Sequence, residues 1–287
     1  MKKPVLILLL LILYLNCHAL NNNMFWFSRS LINPAESGLH HNLYAASTGR
    51  VQWLGLSGSP SQYNALVDLK INAMQAGAGL NYSFYKDGSV KTNSFSANYA
   101  LQHTFKNQSI VSFGLSGGFT NGQFQREEYA IILKYLSPGF ELQDDYRFAF
   151  YNLKLGVAYK TTHFELGLSS NHAIGSQGLK PYLNQMRMFH LTTSYRFDAG
   201  PNLDITPHVL ISTHDLENTS FTSAVLLNFR DRMWTGVNYR YDKGFGIMIG
   251  CDISGMFRIG YNYETYFNGE RRYTYGSHEI ILAFLLR

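Results

Sequence analysis

Apolar and polar residues alternate with a period of two along most of this chain. In 257–264 the odd positions are Phe257, Ile259, Tyr261 and Tyr263, and the even ones are Arg258, Gly260, Asn262 and Glu264. Residues 235–242 split in the same way, and 189–198 and 221–230 do so less strictly. The C-terminal run puts Ile280, Leu282, Phe284 and Leu286 on one face and Glu279 and Ala283 on the other. Successive side chains of a β-strand point to opposite faces, so this pattern predicts strands that bury one face only.

Carried along the chain, the pattern marks about fourteen strands, near 42–53, 61–70, 74–85, 90–102, 109–120, 146–159, 162–172, 187–198, 202–213, 220–230, 233–242, 244–253, 256–266 and 273–286. Their connections alternate in kind. Those near Ile71, Thr104, Thr161, Gly200, Asp231 and Ser254 are short, and the long ones (54–60, 121–145, 173–186, 214–219 and 267–272) all fall on the other side. Tight turns at Asp87-Gly88 and Lys243 complete that second side. Short turns on one side and long loops on the other, with an even strand count, predict an all-β fold: a transmembrane antiparallel β-barrel over 42–287, with its first and last strands paired. The two faces agree. The polar one carries Gly114, Ser116, Gly118, Gly156, Gly167, Asn238 and Gly260, as a lumen would. The apolar one sets Tyr239, Tyr241, Tyr261 and Tyr263 near strand ends, as an interfacial belt would. A water-facing sandwich surface would carry more Lys and Glu.

The N-terminus reads as a leader. Lys2 and Lys3 precede the apolar run Val5 to Leu15, and cleavage is expected after Ala19. That run is too short to span a bilayer as a helix. Residues 20–41 have no period. They contain Met24-Phe25-Trp26-Phe27 and the turn-forming Pro34 and Gly38, and read as a periplasmic lead-in tucked into or under the barrel. Charged residues are 15 % of the chain and aromatics also 15 %, a balance that suits a membrane barrel better than a soluble exported domain. With Cys17 in the leader, Cys251 stands alone, so no internal disulfide is expected. The formal charge of +5 includes Lys2 and Lys3 and is too small to imply a nucleic-acid partner.

Candidate chemistry is sparse. The histidines lie on different predicted strands and loops, and no H-E-x-x-H, G-x-S-x-G or clustered Cys/His spacing occurs. Carboxylate pairs Glu127-Glu128 and Asp144-Asp145 fall in a loop. No catalytic set, cofactor or metal is expected, although a Ser/His/acid set assembled across strands would reopen the question.

Three separated stretches resemble one family, the PorP/SprF outer-membrane proteins of the Bacteroidota type IX secretion system. They are Asn33-Pro34-Ala35-x-x-Gly38; Arg50-x-Gln52-Trp53-x-Gly55-Leu56-x-Gly58-x-Pro60; and His278-Glu279-Ile280-x-Leu282 after Tyr261-Asn262-Tyr263. Glu36 stands where the family usually carries an aromatic residue, and Arg287 stands where an aromatic often closes the last strand. The resemblance implies a non-enzymatic component of secretion and gliding in the outer membrane. Its implied partners are outer-membrane lipid, other type IX components and a secreted cargo such as an adhesin. The rival expectation is a channel for small or hydrophobic solutes. From the residues themselves, Trp53 suits the interfacial belt. Arg50 and Gln52 share a face, and if that face is the lumen, Arg50 needs a counter-charge. Glu279 is the expected partner, because closure makes the first and last strands neighbours.

Overall fold

A computed structural model describes residues 22–88, 90–124, 146–175, 187–214, 218–230, 232–241, 243–267 and 274–286. The expected leader, Glu127-Glu128, Asp144-Asp145 and Arg287 lie outside the described residues. The strands are β1 (Leu43–Val51), β2 (Ser61–Ile71), β3 (Ala76–Asp87), β4 (Val90–Thr104), β5 (Ile110–Phe124), β6 (Tyr146–Lys160), β7 (Phe164–Gly175), β8 (Met188–Tyr195), β9 (Phe197–Gly200), β10 (Leu203–His214), β11 (Asn218–Phe229), β12 (Met233–Arg240), β13 (Gly244–Ile253), β14 (Phe257–Tyr266) and β15 (Ser277–Leu286).

Apart from β8 and β9, each strand pairs antiparallel with the next, and β15 pairs with β1, so the sheet closes on itself. Strands β8 and β9 both pair with β10 and are separated only at Arg196, next to a register shift at Leu203/Asp204. They form one stave, and the barrel is a closed antiparallel barrel of fourteen staves. Closure removes the unpaired edges that a terminal strand would otherwise expose. Among the described residues no helix is long and apolar enough to cross a membrane.

The expected spans match these strands to within a few residues, with informative differences at the ends. Strand β5 continues to Phe124, because its cross-strand partner β6 is long enough to pair with it throughout. The first strand stops at Val51, where Trp53 adopts a left-handed φ of 52°. The last strand begins at Ser277, just after Gly276 turns the chain at φ 86°. Outward positions are the exposed apolar ones, among them Leu80, Phe113, Tyr151, Leu168, Val237, Ile247 and Ile280. Cys251 lies on that face with Ile247 and Ile249, only partly covered.

Candidate functional site in the barrel lumen

The inward face is built around the chain's own N-terminal segment. From Asn22 to Leu39 nearly every residue is buried. The segment packs against side chains from strands all round the barrel, so over its described residues the expected lead-in lies inside the lumen. It runs from Asn23, beside Glu279 near the long-loop end, to β1 at the short-turn end.

Local chemistry shapes it into short turns. A 3-10 turn spans Phe25–Phe27, a single helical turn α1 covers Arg29–Ile32, and a second 3-10 turn covers Pro34–Glu36. Asn33 caps the second 3-10 turn, its side chain accepting from the Ala35 N–H at 3.0 Å. Pro34 opens that turn, where its missing N–H costs nothing. Gly38 then turns the chain at φ 66° against the Leu69 carbonyl and the Gly77 backbone, where any side chain would be strained.

The two halves of the segment meet different walls. Met24, Phe25, Trp26, Phe27 and Ile32 form one apolar cluster with the inward Leu210, Ala224, Leu226, Trp234, Met248 and Ile281 of β10–β15. Trp26 stacks on His208 at 4.7 Å. The backbone of the second half is bonded by inward side chains of β4–β7. Asn98 Nδ2 donates to Ser30 O at 3.0 Å, Ser112 Oγ to Ala35 O at 2.7 Å, and Lys154 Nζ to Leu31 O at 2.8 Å. Ser169 Oγ donates to Ile32 O at 2.8 Å, and Gln102 Nε2 to Ser37 O at 3.0 Å. A buried backbone carbonyl without a partner is costly, and here the lumen supplies the donors. Asn33 Nδ2 in turn donates to the Val157 carbonyl at 3.0 Å.

The lumen glycines have the same cause. A Cβ at Gly114 would collide with the Pro34–Ala35 backbone, one at Gly156 with Asn33, and one at Gly77 with the Ser37 carbonyl. These positions are empty of side chain so that the segment can lie flush on the strands. At Gly77, Gly114, Gly156 and Gly167 the glycine-rich face visible in the sequence is the imprint of this packing.

Two charged clusters anchor the segment. Near the long-loop end, Arg50 on β1 pairs with Glu264 on β14 and with Glu279 on β15, the latter at 3.2 Å, and Arg240 on β12 reaches Glu264 at 3.3 Å. Two cations face two carboxylates in a buried site, which balances the charge that burial makes expensive. Glu279 also accepts the backbone N–H of Asn23 at 2.9 Å and of Met24 at 3.2 Å. Nearer the short turns, Arg29 pairs with Glu165, and His40 Nε2 lies 2.7 Å from Glu36. Lys160 Nζ donates to His40 Nδ1 at 3.1 Å, which fits a neutral ring carrying its proton on Nε2. Burial, with Arg29 and Lys160 nearby, lowers the His40 pKa from its ordinary value despite the opposing Glu165. Beside this cluster a cavity of about 280 Å³ is lined by Phe27, Tyr44, Asp68, Lys160 and Arg258 among others.

The residues singled out in the sequence fall into three places. Asn33, Pro34, Ala35 and Gly38 are in the lumen on β2–β7, as described. Arg50 and Glu279 meet across the seam between β1 and β15. Gln52 and Pro60 are buried at the root of the first long connection, where Gln52 N donates to Pro60 O at 2.8 Å. Gly55 turns at φ 99° over the Tyr275 ring. Trp53 does not join a membrane-facing belt: it packs 6.1 Å from the inward Tyr266, because its left-handed backbone turns the ring over the barrel mouth. His278 points outward, its Nδ1 at 2.6 Å from Tyr261 Oη, and takes no part in the lumen.

Arg240, Glu264, Tyr266, Arg29, His40 and Glu165 were not singled out in the sequence. Strand parity already puts Arg240 and Glu264 on the lumen face, but which charges meet depends on pairings between distant strands. Glu36, unusual for its position in the motif, finds its reason in His40. Among the described residues no group of three His, Cys, Asp or Glu side chains could hold a metal ion. His190 Nδ1 and Ser212 Oγ lie 2.8 Å apart, but no carboxylate bonds the other nitrogen of that ring among the described residues.

A closed barrel with an apolar outer face and a lumen filled by its own N-terminal segment defines an outer-membrane β-barrel of the plugged kind. Known structures share the fold. Omp33 from Acinetobacter baumannii is 10 % identical, with 87 % of this chain and all of that one covered at a TM-score of 0.51. The toluene transporter TbuX from Ralstonia pickettii is 8 % identical, with 91 % and 93 % covered at 0.55. The toluene transporter TodX from Pseudomonas putida is 8 % identical, with 89 % and 92 % covered at 0.50. At such identities the likeness is one of fold alone. No curated protein matches the chain. The family model for the type IX secretion system membrane protein PorP/SprF matches residues 19–284, and the chain belongs to that family.

Proposed function

We propose that this protein serves type IX secretion as a docking barrel, assisting the export or surface attachment of secreted proteins such as adhesins, with a role in gliding. In this reading residues 1–19 are a cleaved leader, 20–41 are the segment that fills the lumen, and 42–287 are the barrel. The motif residues Asn33, Pro34, Ala35, Gly38, Arg50 and Glu279 seat that segment, and Gln52, Trp53, Gly55 and Pro60 shape the first outer connection. The short turns face the periplasmic machinery and the long connections face the cargo. No catalytic step is involved.

The observation that carries the reading is the lumen filling. A chain bonded to both sides of the barrel, with its apolar half in a continuous core, leaves the lumen to the protein itself. A barrel that works by docking needs rigidity more than a pathway. The competing reading, a channel for small or hydrophobic solutes, draws on the fold shared with transporters and on the cavity near His40. Liposome swelling separates the two. The purified barrel is expected to admit sugars no faster than protein-free vesicles, and robust flux would overturn the docking reading in favour of the channel.

A further inference from the structure

The outward face of β3–β6 changes character at one height. Tyr82, Phe95, Phe119 and Tyr151 stand in a single cross-strand row. Tyr82 packs on Phe95 at 4.8 Å and Phe119 on Tyr151 at 5.8 Å. On one side of this row the outward residues are Leu80, Leu115, Leu153 and Leu155, all exposed. A row of rings bordering an apolar band marks the boundary between hydrocarbon and headgroups. The Tyr82 hydroxyl, donating to Asn93 Oδ1 at 2.9 Å, points the polar edge of the belt the other way.

Four residues further along the same strands, the register sets Lys86 opposite Lys91, Lys91 opposite Gln123, and Gln123 opposite Arg147. Alternation puts all four on the outward face with the belt. Their neighbours agree: Asp87 and Val90 are buried, and Phe148 turns inward over Gly122. At about 3.3 Å per residue and a tilt near 40°, the row stands roughly 10 Å beyond the rings. Flexible basic side chains reach back from there into the headgroup layer. Across three strand spacings of about 4.8 Å the row presents three cations and one amide, and no carboxylate is among them.

We propose that this row is a binding site for the phosphate of an outer-leaflet lipid. The Arg147 guanidinium offers a planar fork suited to phosphate oxygens, and Lys91 supplies a point charge beside it. The acyl chains lie on the leucine face below the rings. The apolar band directly beneath the cations is what favours a lipid over an acidic polypeptide, which would have no use for it. The site rests on the outward orientation of the long connections, but its binding chemistry does not, so a test in detergent separates the two.

The test uses the full chain, folded in detergent, and native mass spectrometry with diphosphoryl lipid A, its dephosphorylated form, inorganic pyrophosphate and poly-glutamate. The protein is expected to hold the phosphorylated lipid about tenfold more tightly than the dephosphorylated one, and the double variant Lys91→Gln/Arg147→Gln to lose that preference. The heat-induced gel shift of the variant, which reports barrel folding, is expected to match the parent. Added salt is expected to weaken binding of the phosphorylated lipid only. Equal retention of the two lipids, or a preference untouched in the folded double variant, would overturn the site. Pyrophosphate or poly-glutamate held as tightly as lipid A would overturn its assignment to a lipid.

Discussion

Arg50 and Glu279 stand directly opposite each other across the barrel seam, 3.2 Å apart and almost wholly buried. The same carboxylate holds the backbone N–H groups of Asn23 and Met24. One side chain therefore joins the first strand, the last strand and the segment that fills the lumen. Closure of the barrel and seating of the segment are thereby linked.

Charge balance at this point leads to a non-additive prediction. Arg50→Met takes one cation away from Glu264 and Glu279, and Glu279→Met takes one carboxylate away from Arg50. Each single change is expected to cost roughly 3–5 kcal/mol, the usual cost of breaking a buried pair. The double change removes one charge of each sign together, so it is expected to cost less than the sum of the two. Urea unfolding midpoints of the four proteins in detergent measure this coupling, and simple additivity would refute it.

The lumen glycines predict a contrast between two faces of one strand. On β5, Gly114 faces the Pro34–Ala35 backbone, whereas Gly117 faces outward with nothing within 4 Å of an added Cβ. Gly114→Leu is expected to unseat the segment without opening the barrel, and Gly117→Ala to change nothing. Limited proteolysis reads the difference as new cleavage between residues 22 and 41, and sugar flux through liposomes is expected to rise in the first variant only.

Asn33 does two jobs with one amide: it caps the 3-10 turn at Ala35 and donates to Val157 O. Asn33→Ala is expected to cost about 1–2 kcal/mol, the range for a lost cap and a partner left unpaired. Asn33→Asp retains the cap acceptor but loses the donor and sets a buried, unpaired carboxylate against the Val157 carbonyl, so it should cost more than the alanine variant in the same unfolding assay.

Seating of the segment is expected to weaken in acid through His40. Its seated pKa lies below the ordinary 6.5. As the pH falls through that value, an unseated His40 takes up a proton that the seated one, between Arg29, Lys160, Glu36 and Glu165, resists. The stability is therefore present above about pH 6.5 and declines below it. Proteolysis of the segment at about pH 8 and about pH 5 should show greater cleavage in acid, and His40→Gln should flatten the dependence. Equal cleavage of the parent protein at both pH values would count against His40 as the sensor.

Much of this architecture was legible before any coordinates. Alternation at Phe257–Glu264 and Ile280–Leu286 reports a property of each strand alone, so the faces and most boundaries followed directly. Connection parity indicated the closing pair, and closure made Glu279 the natural partner for Arg50. Trp53 shows where local reasoning stops. Its ring chemistry suits a membrane interface, yet a left-handed backbone at the end of β1 carries it over Tyr266. The second cluster was invisible for a related reason: Arg29, His40, Lys160 and Glu165 come from three parts of the chain and meet only once the segment is inside.

The sequence by itself determined the strands, their two faces and the barrel they close, because a period of two is written residue by residue and needs no distant partner. Only the tertiary structure decided what the polar face was for. The Gly, Ser and Asn positions of β3–β7 look like an empty lumen when read singly. Their missing or short side chains make sense once Asn33, Pro34, Ala35 and Ser37 lie against them. A contact between residues so far apart depends on barrel closure, which brings strands from the whole chain around one short segment.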